Sequence, residues 1–151
     1  MRTVLQRVRR ASVRVRGEVV GEIESGLLAL VGIAADDGAG QVRATAQKIR
    51  GLRIFEDQQG RMNLDVVQAG GAVLVVSQFT LVADVTGGRR PSFSSAAPAE
   101  RASELMLALA TELRDLGVPV AEGRFGASME VELINDGPVT FVLETADLTD
   151  C

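Results

Sequence analysis

The sequence predicts an α+β fold: a single domain over residues 1–151, with a mostly antiparallel, partly closed β-sheet or barrel packed with two helices. Three observations carry this. Strand-like patterns outnumber helical ones and do not alternate with them regularly. Only two stretches show a period near 3.6. The 151 residues, 46% of them hydrophobic, suffice for one core at about 100–200 residues per domain.

Near the N-terminus, Val13 and Val15 alternate with Arg14 and Arg16, Gly17-Glu18 supplies a turn, and Val19, Val20 and Ile23 continue the pattern. This is a β-hairpin. Gly26 to Ile33 is nearly all apolar and rich in branched residues, as expected of a strand buried on both faces. Asp36-Asp37-Gly38 offers cap chemistry for a helix from Gln41 to Leu52, with Val42, Ala46, Ile49 and Leu52 at helical spacing. A strand group follows at Leu52 to Phe55 and Met62 to Val66, joined by the Asp57–Gly60 turn, and Ala72 to Leu81 reads as a second buried strand. The clearest helix is Pro98 to Leu116, with Pro98 at its first position, a stripe of Leu105, Leu109, Leu113 and Leu116, and a stop at Gly117 and Pro119. Met129 to Leu133 and Val139 to Glu144 are the last two strands.

Composition narrows the chemistry. There is no His, Trp or Tyr, so imidazole cannot serve as base, nucleophile partner or metal ligand. The one Cys is Cys151, which gives neither a disulfide framework nor a zinc cluster, and Cys151 is not expected to be catalytic. No metal and no cofactor are expected. The N-terminus interleaves arginine with apolar residues instead of forming a continuous apolar segment, and the longest apolar run, Leu27 to Ala35, is too short for a bilayer. A reducing cytoplasm is the expected location, without a membrane partner. Net charge is −4, but Arg2, Arg7, Arg9, Arg10, Arg14 and Arg16 fall in the first sixteen residues, which hold no acid. That edge either meets a polyanion or forms a solvated sheet face.

Two segments carry polar or special residues that a plain strand would not need: Ser77-Gln78-Phe79-Thr80, and Asn135-Asp136-Gly137-Pro138-Val139-Thr140. Asn, Asp, Gly and Pro all favour turns, so the second reads locally as a hairpin turn. The Gly-Pro step also has the option of a cis bond, with two carbonyls pointing the same general way.

SQFT at 77–80, Arg90 to Phe93, GRFGASM at 123–129 and NDGPVT at 135–140 occur in one order with VLQRV at 4–8, GLLALVGI at 26–33 and RIFEDQQGRMN at 53–63. Together they resemble the D-aminoacyl-tRNA deacylases over essentially the whole chain. The resemblance implies a homodimer with active sites at the subunit interface, hydrolysing the ester that joins a D-amino acid to the 3′-terminal adenosine of tRNA. It implies that Gly137-Pro138 is cis and enters the partner's pocket as a chirality filter, that Arg7 supports the filter, and that Ser77, Gln78, Phe79 and Thr80 line the catalytic pocket. The hairpin-turn reading of 135–140 gives way to this. Thr86 and Gly87 stand where the family often has lysines, so contacts to the tRNA body shift towards the terminal adenosine and Arg7 to Arg16.

Mechanism then has to proceed without histidine. Lys48 is the sole lysine, so a Ser77 or Thr80 nucleophile has no evident base. The expected alternative is water assisted by the ribose 2′-hydroxyl, with backbone N–H groups of Phe79 and Thr80 as an oxyanion hole. Because exclusion of L side chains would be steric and made by main chain, glycyl esters are expected to pass. Phe125 and Met129 are candidates to contact adenine, with core packing as the competing role. Arg89-Arg90 is a basic loop near the acceptor stem or a solvated turn. The partner is the aminoacyl-tRNA 3′ end, not DNA. Two other functions stay open: a non-catalytic tRNA 3′-end binding module, and an esterase with Thr80 as nucleophile.

Overall fold

A computed structural model describes residues 1–148. Eight strands occur in the order β1 (Arg2–Val15), β2 (Glu18–Ile23), β3 (Gly26–Gly32), β4 (Phe55–Glu56), β5 (Met62–Leu64), β6 (Ala72–Ser77), β7 (Val120–Glu122) and β8 (Glu130–Glu144). Helix α1 (Ala39–Gly51) follows β3 and α2 (Ala99–Asp115) precedes β7, with short 3-10 turns at Phe79–Val82 and Thr145–Asp147. The second of these turns is closed by Leu148 N–H on the Thr145 carbonyl at 3.2 Å. Cys151 lies outside the described residues.

Strand β1 organises the sheet. One of its edges takes β8 along most of its length, and the other is shared by β3 and β2. All three pairings are antiparallel, whereas β3–β6 and β6–β7 are parallel. The sheet order is β2-β1-β3-β6-β7. Its ends approach one another: a Cβ added to Gly21 of β2 would lie 2.3 Å from the Glu122 carbonyl oxygen of β7. The expected mostly antiparallel, partly closed sheet with two helices is present, with a parallel section that the sequence reading lacked.

Alternation explains the two apolar strands. Leu27, Ala29 and Val31 of β3 and Val73 and Val75 of β6 face the helices, where Val42, Ile49, Leu105, Leu109 and Leu113 complete the larger core. Leu28, Leu74 and Val76 face the opposite way and join Val8, Ala11, Val13 and Ile23 inside the curled sheet. Each strand is buried on both sides, which is why neither shows polar alternation.

Several expected boundaries are corrected. The strand from Ala72 ends at Ser77, where its parallel ladder to Val31 stops, and the chain winds into a 3-10 turn. The last two strands expected, Met129 to Leu133 and Val139 to Glu144, are one: β8 runs through 135–140, with its register to β1 shifting between Gln6 and Val8 and again between Val8 and Arg10. The cap of α1 falls within the expected Asp36-Asp37-Gly38 stretch, but at the glycine and not at either aspartate. Gly38 is the N-cap, its N–H bonded to Gln41 Oε1 at 2.9 Å, while Asp37 accepts from the Ala34 N–H at 2.7 Å. Pro98 is likewise the N-cap of α2 and not its first helical residue.

Candidate functional site

At the C-terminal end of β6, Gln78 N–H bonds the Val31 carbonyl at 2.8 Å, and the chain then turns over Gly32. A Cβ at Gly32 would lie 3.0 Å from the Gln78 carbonyl oxygen and 3.0 Å from Leu81 Cβ, so any side chain there requires the turn to give by a few tenths of an ångström. The first 3-10 bond runs from Leu81 N–H to the Gln78 carbonyl at 3.2 Å. The N–H groups of Phe79 and Thr80 precede it and have no partner within the turn.

Beside this turn lies a cleft of about 530 Å³. Ser77, Gln78 and Phe79 line it together with Phe125, Gly126, Ala127 and Met129. Ile33, Val76, Ala96, Ala97, Ala99, Ala102 and Val131 complete the wall. Phe79 is 55% exposed and meets Phe93 edge to face, with ring centroids 5.0 Å apart. Met129 packs on the core inside the sheet, so it serves as both cleft wall and packing residue. None of the lining side chains ionises near neutrality.

Thr80 lies next to this lining, and its hydroxyl accepts from the Gln78 side-chain amide. No carboxylate reaches it among the described residues. Asp84, the nearest acid downstream, accepts from the Thr86 hydroxyl at 2.6 Å and the Thr86 N–H at 2.9 Å. Those two bonds, the hydroxyl's first, hold its carboxyl below the usual carboxylate range and engage it within its own loop.

A second cluster surrounds Arg7, which is 6% exposed. Its Nη1 donates to the Ile54 carbonyl at 2.7 Å and its Nε to the Asp136 carbonyl at 3.2 Å. The Asp136 carboxylate lies 3.4 Å from Arg7 and 3.5 Å from Arg9. Asn135 Nδ2 donates to the Arg7 carbonyl at 2.8 Å and the Val139 carbonyl at 3.1 Å, bridging the Gly137-Pro138 step, which is cis. Gly137 and Pro138 are both exposed.

The structure therefore brings together Ser77, Gln78, Phe79, Phe125 and Met129, with Thr80 alongside. Arg7, Gly137 and Pro138 form the other group, and neither Gly137 nor Pro138 lines the cleft of the same chain. Sequence reading missed Asn135 and Ile54 as partners of Arg7, and missed the alanines at 96, 97, 99 and 102. The small-residue run after Phe93 was the available signal for the alanines. Among the described residues, no group of three or more His, Cys, Asp or Glu is placed to hold a metal ion, and no helix is long and apolar enough to cross a membrane.

Residues 4–144 match the family model described as D-Tyr-tRNA(Tyr) deacylase. The chain belongs to the D-aminoacyl-tRNA deacylase family. It is 57% identical over 148 residues to the D-aminoacyl-tRNA deacylase of Chloroflexus aurantiacus, covering 98% of this chain and 92% of that protein. The Anaeromyxobacter dehalogenans enzyme of the same name is 55% identical, with 98% and 99% covered. Among solved structures, one titled c-Myc DNA Unwinding Element Binding Protein superposes with a TM-score of 0.91 at 40% identity, covering 95% of this chain and 98% of that one. A probable eukaryotic D-amino acid tRNA deacylase shares the fold at a TM-score of 0.81 and 18% identity, covering 94% and 97%. In this deacylase-family chain, the cleft beside SQFT and the cluster around Arg7 are the two places where the expected site residues gather.

Proposed function

We propose that this chain hydrolyses D-aminoacyl-tRNA, and glycyl-tRNA, to free tRNA and amino acid. The observation that carries the reading is the cleft itself: its lining combines the Ser77–Phe79 main chain with the apolar side chains of Phe125 and Met129, and it holds no ionisable group. The terminal adenine sits against Phe125 and Met129, since apolar and aromatic surfaces stack on bases. The ester carbonyl lies at the N–H groups of Phe79 and Thr80, which stabilise its oxygen as negative charge develops there; one such donor is worth about 10²- to 10³-fold in rate. The ribose 2′-hydroxyl orients the attacking water. Water oxygen bonds to the carbonyl carbon, the bond from that carbon to the 3′-oxygen breaks, and the water's proton ends on the 3′-oxygen.

Chirality is read by a second copy of the chain. In a homodimer, Gly137 and Pro138 of the partner subunit reach the cleft, and their carbonyls accept from the substrate's α-amino group. One substituent direction at the α-carbon then meets main chain and the other opens to solvent. Rejection through forced overlap with immobile backbone costs several kcal/mol, and about 1.4 kcal/mol is already tenfold in rate. Arg7 and Asn135 support this role by tying the segment to β1. The DNA binding carried in the name of one similar structure gains no support from the cleft, whose lining holds no cation for a phosphate backbone.

The test charges one tRNA with D- and with L-amino acid and measures free amino acid released by the purified protein. Release from the D form and from the glycyl form, with the L form spared, is the expected result. Equal cleavage of both enantiomers defeats the filter, and binding without release leaves a non-catalytic 3′-end module.

A further inference from the structure

We propose a second binding site on the same substrate path: Arg16 and Arg124 hold a backbone phosphate of the single-stranded RNA leading to the terminal adenosine. This rests on the function proposed above and extends it beyond the adenosine cleft.

A hollow of about 430 Å³ lies between the β1–β2 turn and the 124–128 loop, lined by Val15, Arg16, Arg124, Gly126, Ala127 and Ser128. Gly126 and Ala127 also line the adenosine cleft, so the two spaces adjoin across one piece of main chain. A strand leaving the cleft past Phe125 crosses this hollow.

Charge at the hollow is unbalanced. Its lining holds two guanidinium groups and no carboxylate. On β1, Arg2 pairs with Glu144, Arg7 and Arg9 with Asp136, and Arg10 with Glu132. Arg16 and Arg124 are both exposed and take part in no ion pair among the described residues. Two arginines lining one space with no carboxylate among the lining residues suit a phosphate, which guanidinium binds bidentately.

Backbone conformation points the same way. Arg16 and Gly17 are the two central residues of the hairpin, since Val15 pairs with Glu18, and both have positive φ, +52° and +80°. That geometry favours Asn-Gly. Arg16 is the one non-glycine residue with positive φ among the described residues, so the turn carries arginine where its conformation favours another side chain. On the facing loop, Ala127 N–H closes a turn on the Arg124 carbonyl at 3.2 Å, and Gly126, at φ +76°, supplies the left-handed residue. The Ser128 hydroxyl adds a donor to the rim.

The test compares wild type with Arg16→Asn, Arg124→Gln and the double variant on two substrates: D-aminoacyl-tRNA, and D-aminoacyl-adenosine, which has no phosphate. On tRNA, each variant is expected to raise KM about five- to tenfold with kcat nearly unchanged. The slope of log(kcat/KM) against log[salt] should become shallower by about 0.7 per arginine removed. Turnover of the nucleoside ester stays at the wild-type level. Arg16→Asn suits the turn and should melt no lower than wild type, which separates lost binding from lost fold. Unchanged KM and salt slope on tRNA overturn the proposal. So does an equal loss on the nucleoside ester, which makes the arginines structural, and so does inhibition of nucleoside turnover by inorganic phosphate beyond that of chloride at equal ionic strength, which makes the hollow a free-anion site. A wild type inactive on both substrates instead defeats the deacylase reading itself.

Discussion

Arg7 and Asp136 face each other across the β1–β8 ladder in two ways at once: the guanidinium Nε donates to the Asp136 carbonyl at 3.2 Å and lies 3.4 Å from the carboxylate of the same residue. The other branch of the fork reaches the Ile54 carbonyl at 2.7 Å. A single planar group thus ties the segment before Gly137 to β1 and to the loop before β4. Lysine keeps the charge but has one nitrogen for three acceptors. Arg7→Lys is therefore expected to cost about 2–3 kcal/mol in urea denaturation, the scale of a buried charge-assisted bond. If this tie orients the filter, the D-to-L rate ratio falls at least about tenfold, or about 1.4 kcal/mol, while kcat on the D substrate changes far less. An unaltered ratio at the expected stability loss assigns Arg7 to folding alone.

Thr80 separates the two hydrolytic mechanisms. Its hydroxyl accepts from Gln78, and no base approaches it among the described residues, whereas its N–H is one of the two free donors of the turn. Thr80→Ala removes the hydroxyl and keeps the N–H, so kcat should stay within about tenfold of wild type, well short of the loss that follows removal of an oxyanion donor and the charge it stabilises. A substrate ending in 2′-deoxyadenosine should be cleaved far more slowly by both proteins. Single-turnover rates check both expectations; a Thr80→Ala rate equal to spontaneous hydrolysis restores the nucleophile.

Much of this was legible in the sequence because periodicity reports burial. Leu27–Val31 and Val73–Val76 had to be covered on both faces, and they are. The leucine stripe of α2 likewise gave its inner face through Leu105, Leu109 and Leu113. The errors fall where tertiary contacts decide. Ser77 to Leu81 alternates like a strand, but the neighbouring Gly32 lets the chain wind down onto β3. Asn135 to Pro138 is rich in turn formers, yet β1 holds it within a strand through Arg7 and the Asn135 amide. Strand β7 has three residues, too few to show a period. The alanines of the cleft were invisible because they contribute space and no functional group of their own.

Asp65 makes a pH prediction. Burial disfavours its charged form, but the Gln68 N–H at 2.9 Å and Arg50 at 2.6 Å outweigh that and hold its carboxyl below its ordinary value. A carboxyl lowered by folding contributes stability that is complete above its unfolded pKa and is lost as pH falls through the folded one. Asp65→Asn removes that contribution. Wild type should melt above the variant at pH 7, and the gap should close as pH drops below about 4, near the unfolded carboxyl value. Thermal melts of both proteins across that range check it; a gap of constant size rules out the ionised carboxylate as its source.

Gly32 tests whether the position of main chain at the SQFT turn sets the rate. An added methyl at Gly32 meets the Gln78 carbonyl and Leu81 Cβ, both at 3.0 Å, and the turn has to lift to make room. Gly32→Ala should fold with a loss of about 1–3 kcal/mol, typical of overpacking. Its larger effect should be on kcat, because displacing the Phe79 and Thr80 N–H groups weakens bonds that matter most in the transition state; a fall of about tenfold or more is expected. KM for the tRNA should change little, since Phe125 and Met129 belong to the segment between β7 and β8 and not to the turn that is displaced. Gly40→Ala is the matched control: its new methyl, within α1, meets nothing within 4 Å and should leave turnover untouched. A Gly32→Ala enzyme with wild-type kcat and the expected loss of stability shows that the turn's N–H groups do not act on the reacting carbonyl.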